Sequence, residues 1–116
     1  MPMNARDERI QELLPLPSPF FQILGALAPG EAHGYAIMQD VAAQTDGRLR
    51  LSPGTLYGSI KRMLELGLIL EVRAKDARRR YYRLTDFGRR VARAEAARLE
   101  ETLRYARAKG LTPQQA

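Results

Sequence analysis

"LSPGTLYGSIKRMLELGLI", residues 51–69, carries a helix start, a helical period and a helix stop within nineteen residues. Ser52 is suited to cap, Pro53 to the first helical position and Gly67 to the end, while Leu56, Ile60, Met63 and Leu64 recur at spacings of three and four. That phase leaves Gly54, Thr55, Gly58, Ser59 and Arg62 facing away, with Tyr57 and Lys61 on the flanks. Each glycine costs a helix roughly 1 kcal/mol relative to alanine. Close approach to another surface is one reason to tolerate that cost, and tight helix packing is the other. Thr, Ser, Lys and Arg side chains on such a face are suited to donate to phosphate oxygens and to base edges in a major groove.

Upstream, "SPFFQILGALAPG" predicts a helix capped by Ser18, with Pro19 in its first turn and Pro29 and Gly30 beyond its end. Phe20, Phe21, Ile23, Leu24 and Leu27 cover most of its circumference, which places it centrally in the core. "HGYAIMQDVAAQTDG" predicts a second helix, with Ile37, Met38, Val41 and Ala42 on one face and Gly47 as its stop. "RLRL" at 48–51 alternates enough for one very short strand. Before all of these, "ARDERIQELL" offers Ile10, Leu13 and Leu14 at helical spacing, as a short helix in need of a surface or as a frayed arm.

Downstream, "LILEVR" puts Leu68, Leu70 and Val72 on one side and "RYYRLT" puts Tyr82 and Leu84 on one side. A basic turn joins them, so the pair reads as a hairpin whose tip carries Lys75, Arg78, Arg79 and Arg80. From a cap at Thr85 or Asp86 the chain then runs to Gly110 with no strong breaker except Gly88, predicting a helix of about 24 residues.

The 116 residues fit one domain, with 45% hydrophobic and 28% charged residues. Nineteen Lys and Arg against thirteen Asp and Glu give a formal +6, a balance that favours an anionic partner such as nucleic acid or a membrane surface. With no cysteine and one histidine, the chain has no disulfide and cannot build a thiolate or multi-histidine metal site by itself. No cofactor is expected. No apolar run approaches the roughly 20 residues that span a bilayer, and the N-terminus lacks a signal peptide's apolar segment, so the protein is expected in the cytoplasm, without a membrane partner.

The order helix, helix, short strand, helix, hairpin is that of a winged helix, mainly α with a small β-hairpin. Its second and third helices form the helix-turn-helix and its basic hairpin is the wing. "HGYAIMQDV", "LSPGTLYGSIKRMLELGLI" and "RRYYRLTDFGRR", in that order and spacing, resemble the signatures of PadR-type bacterial transcriptional regulators over roughly residues 18–90. The resemblance implies a DNA-binding winged-helix domain, a homodimer held by a C-terminal helix, and repression of nearby genes. It also implies that Tyr35 and Tyr57 lie near the DNA backbone, although the residues alone fit aromatic packing equally well. The chain is similar to the short-tailed branch of that family, and a small-molecule effector of unspecified identity is left open.

The expected organisation is an N-terminal arm or short helix at 1–17, the winged-helix domain at 18–85, the dimerisation helix at 86–110 and a loose tail at 111–116. Ala92, Ala96, Leu99, Leu103 and Ala106 form a heptad-like seam that could pack on the chain's own first helix. The helix outruns so small a core, so the seam is expected to pair two copies and present two recognition helices to a pseudo-palindromic site in double-stranded DNA. The DNA-contacting set is Tyr35, Ser52, Gly54, Thr55, Tyr57, Gly58, Ser59, Lys61, Arg62, Lys75, Arg78, Arg79 and Arg80. Catalysis is not expected: His33 stands alone at a helix start, where capping or a surface hydrogen bond accounts for it, and "SPGTLYG" lacks a P-loop's ending. A winged helix that serves only as a protein-interaction module is the alternative.

Overall fold

A computed structural model describes residues 4–73 and 78–113 of the chain. The described residues form five helices, α1 (Ala5–Leu13), α2 (Ser18–Leu27), α3 (Gly34–Gln44), α4 (Pro53–Glu65) and α5 (Asp86–Ala108), and a small antiparallel sheet of β1 (Ala32–His33), β2 (Ile69–Val72) and β3 (Tyr81–Leu84). The sheet order is β1-β3-β2, so the hairpin is extended by one two-residue strand. The core is a single cluster to which α2 contributes Ile23, Leu24 and Leu27, α3 Ile37 and Val41, and α4 Leu56, Ile60 and Met63, closed by Leu68, Ile69, Tyr82 and Val91.

Local signals set most of the element ends. Ser52 accepts from the Thr55 N–H, Pro53 opens α4, and α4 ends with Gly67 at φ 76°, Leu68 N–H donating to the Met63 carbonyl and Gly67 N–H to the Leu64 carbonyl. This doubly bonded reversal needs a left-handed residue, which glycine supplies without strain. Thr85 caps α5 by accepting from Gly88 N–H and also donates to the Gly67 carbonyl, fixing the exit of the hairpin against the end of α4. Gly88 admits no side chain, because a Cβ there would overlap the Leu68 carbonyl oxygen.

Three expectations are corrected. Arg48–Leu51 forms no strand; Leu49 N–H is held by the Thr45 hydroxyl instead, and the third strand is β1, pairing Ala32 with Tyr82 and His33 with Tyr81. In β2 the core-facing residue is Ile69, not Leu70, which is 46% exposed. Leu68 is consumed by the α4 reversal, so the strand starts one residue later than the pattern suggested, and a slip of one residue exchanges the two faces of a strand. At the start of α2 the cap is Pro17, whose carbonyl accepts from Phe20 N–H; the Ser18 hydroxyl makes no capping bond.

The N-terminal arm is a packed helix. Ile10 and Leu16 are buried, the Arg9 guanidinium donates to the Leu66 carbonyl at 2.7 Å and lies over the Phe87 ring, and Leu16 N–H donates to the buried Glu95 carboxylate at 2.7 Å. Burial pushes the Glu95 carboxyl up. Hydrogen bonds from the Arg98 guanidinium and Leu16 N–H, with the charge of Arg98, outweigh it and hold the group below its ordinary value. A carboxylate with a depressed folded-state pKa stabilises the fold above its unfolded value, and that contribution disappears as pH falls through the folded one. Thermal unfolding of parent and Glu95→Gln should therefore differ most near neutral pH, with the gap closing below about pH 4.

Candidate nucleic-acid interface

The helix-turn-helix is α3 and α4, and the exposed side of α4 is where its sequence placed little apolar material. Thr55, Tyr57, Lys61 and Arg62 are exposed there, as are Gly54 and Gly58. Around Gly58 nothing among the described residues lies within 4 Å of where a Cβ would sit, so none of them accounts for the missing side chain. Ser52 is exposed at the start of the same face, its hydroxyl engaged with the backbone and hydroxyl of Thr55. Arg62 pairs with Glu65 at 3.3 Å, an exposed i,i+3 pair of little energetic weight that leaves the guanidinium recruitable.

Ser59 does not belong to this face. It is 8% exposed, because three residues after Leu56 and four before Met63 it shares the buried stripe of α4. The spacing that carries Leu56 and Met63 inward carries Ser59 inward with them, against its expected outward placement.

The wing stands beside α4. Arg78, Arg79 and Arg80 are exposed, and Lys75 lies outside the described residues. Arg80 reaches Glu71 across the hairpin at 3.7 Å. Burial and the Glu71 carboxylate push the Tyr82 phenol above its ordinary range, against the pull of Arg80, so Tyr82 remains a neutral anchor under the wing.

Between the wing and the helix-turn-helix is an open cleft of about 390 Å³ lined by His33, Gly34, Tyr35, Tyr57 and Arg78 to Arg80. Tyr35 and Tyr57 are 60% and 51% exposed, which removes aromatic packing in the core as their role. The Tyr57 hydroxyl rests against Gly34, where a Cβ would come within 2.6 Å of it, so the start of α3 and the middle of α4 are fitted to each other. His33 caps α3 through Nδ1, which accepts from Ala36 N–H at 3.2 Å, and its Nε2 lies 2.9 Å from an Arg79 guanidinium nitrogen. Gly34 and the second partner of His33 were not foreseen from sequence. The "HGY" triplet was the available signal, but nothing local says that a hairpin nearly fifty residues later folds against it.

The long α5 divides into two parts. Gly88, Val91 and Glu95 are buried, Ala92 rests against the core, and beyond Glu95 no residue of the helix is buried. Ala96 is exposed, Leu99 and Leu103 are 41% and 43% exposed, and Ala106 is partly covered. The predicted seam is therefore core-facing at Ala92 and open to solvent along Ala96, Leu99 and Leu103. Among the described residues no helix is long and apolar enough to cross a membrane.

Three known proteins are similar to this chain, two in sequence and one in fold. Transcriptional regulator Rv3488 of Mycobacterium tuberculosis is 38% identical over 84 residues, 71% of this chain and 76% of that protein. An uncharacterized 37.1 kDa protein in transposon TN4556 of Streptomyces fradiae is 40% identical over 74 residues, 64% of this chain, which spans only 21% of that protein's length. Bacillus subtilis PadR, solved in complex with operator DNA, is similar in fold with a TM-score of 0.59 at 23% identity over 69% of this chain and 47% of that one. The model of the transcriptional regulator PadR-like family matches residues 23–94, and with well over half of its length inside that match the chain belongs to this family.

Proposed function

We propose that this PadR-family regulator binds a pseudo-palindromic operator in double-stranded DNA as a homodimer and represses transcription from it. The observation that carries the reading is the conjunction of an exposed, small and cationic α4 face with three exposed wing arginines across a cleft lined by Tyr35 and Tyr57. In this reading α4 enters the major groove, where Thr55 and Arg62 face base edges, Ser52 and Lys61 hold the backbone, and Gly54 and Gly58 let the helix axis come close. Tyr35, Tyr57 and the wing arginines track phosphates of the flanking groove. The operator complex of Bacillus subtilis PadR supports this assignment by analogy of fold. Homodimerisation is supported by the open apolar seam on α5, whose leucines have no partner elsewhere in the described chain to cover them.

Gly58→Ala tests the groove reading. The added methyl meets open space within the chain, and helical propensity improves by roughly 1 kcal/mol, so the melting temperature should hold or rise. Operator affinity should nevertheless fall by at least about tenfold, because the methyl stands between the helix and the groove floor; one tenfold step corresponds to about 1.4 kcal/mol. Thermal unfolding and binding to a fragment selected from the source genome, measured on the same samples, separate the two effects. Undiminished binding by Gly58→Ala would place the DNA-facing surface elsewhere.

A further inference from the structure

His33 has two hydrogen-bond donors facing its two ring nitrogens. On one side is the Ala36 backbone N–H, 3.2 Å from Nδ1; on the other is the Arg79 guanidinium, 2.9 Å from Nε2. Neither donor can become an acceptor, since a peptide N–H is permanent and a guanidinium does not lose its proton in proteins. A neutral imidazole, however, carries one proton, and only its unprotonated nitrogen accepts. The two donors compete for one lone pair. With Nε2 unprotonated, the ring holds Arg79 and gives up the α3 cap; with Nδ1 unprotonated, it caps α3 and turns an N–H toward Arg79. The protonated ring accepts from neither.

The ring has little freedom to escape this choice. Its backbone is fixed in β1 opposite Tyr81, whose ring meets it edge-on at 5.4 Å, and it opens into the cleft shared by Tyr35, Tyr57 and the wing arginines. We propose that His33 is a positioning residue that makes retention of Arg79 and capping of α3 mutually exclusive, so that an anion drawing Arg79 away completes the cap. The identity of that anion as a DNA backbone phosphate rests on the proposed function. The coupling itself does not. By linkage the effect is reciprocal: a ring locked into capping α3 gives up Arg79 to the phosphate more readily. His33 thereby ties wing engagement to the stability of the first turn of α3, on which the helix-turn-helix is mounted.

Because His33 is the only histidine of the chain, its ring nitrogens can be read directly by NMR. In the free protein the neutral ring should have Nε2 unprotonated in a substantial fraction of molecules. Arg79→Ala, with no DNA present, should shift the population toward protonated Nε2 and slow hydrogen exchange at the Ala36 amide. A duplex should produce the same two changes in the parent and none in Arg79→Ala. In His33→Asn, which keeps a capping oxygen but has no second ring nitrogen, Ala36 exchange should no longer respond to duplex. An unchanged tautomer in Arg79→Ala overturns the coupling, as does a duplex that binds by an independent fluorescence titration while the parent ring stays as it was. If no duplex binds, the DNA reading fails, and the free-protein comparison of parent with Arg79→Ala decides the coupling alone.

Discussion

Leu99→Glu and Leu103→Glu should each convert a dimeric parent into a monomer at micromolar concentration, without loss of helix content. Both leucines are more than 40% exposed on a single chain, so within the protomer a glutamate at either position meets water and costs the fold little. In a two-fold pairing of α5 helices the same substitution places a carboxylate on each copy against an apolar surface. An uncompensated buried charge costs about 3 to 5 kcal/mol, which raises the dissociation constant at least roughly a hundredfold. Sedimentation of parent and variants reads the result. If parent and variants sediment as the same species, the seam is not the interface and two half-sites are not presented together.

The second large effect belongs to the wing. Alanine at Arg78, Arg79 and Arg80 together should weaken binding of specific and random duplex in parallel, by on the order of 10- to 100-fold at low salt. It should also reduce the slope of log affinity against log salt by about two to three units, roughly one for each phosphate that an arginine no longer neutralises. Discrimination between operator and random duplex should survive, since arginines that meet phosphates position the protein and do not read bases. All three residues are exposed, so the weaker binding comes without a change in the core. A triple variant with the parent's salt slope would show that the wing does not touch DNA.

The parts of the fold legible in the sequence were those set by neighbours along the chain. The Ser52 cap, Pro53 and Gly67 bound α4 because each acts on the backbone within one helical turn, and the Leu56, Ile60, Met63 stripe fixed its inner face. The corrections to the sheet involve tertiary decisions. β1 exists only because β3 passes beside it, and two residues carry no period of their own. Leu70 turned outward because the helix reversal before it used one residue more than the apolar alternation implied. Ser59 is a correction of helical phase: three residues after Leu56 and four before Met63, it lies within the buried stripe and not outside it. The segment joining α1 to α2 is held by a buried carboxylate 79 positions after the Leu16 amide it receives, which no local pattern announces. At the candidate site, the separate segments carrying Tyr35, Tyr57 and the arginines could be named, but their convergence on one cleft through Gly34 and His33 is a property of the folded chain.

Binding of double-stranded DNA by the α4 face and the wing together is tested most directly by the parent protein's affinity for duplex as a function of salt. Selected operator and random duplex should be titrated side by side between about 50 and 200 mM salt. Plots of log affinity against log salt should be steep and linear for both, with the operator bound about a thousandfold or more tightly than random sequence throughout. Affinity that is independent of salt, or equal for operator and random duplex, would contradict this reading and leave a winged helix whose exposed face serves another kind of partner.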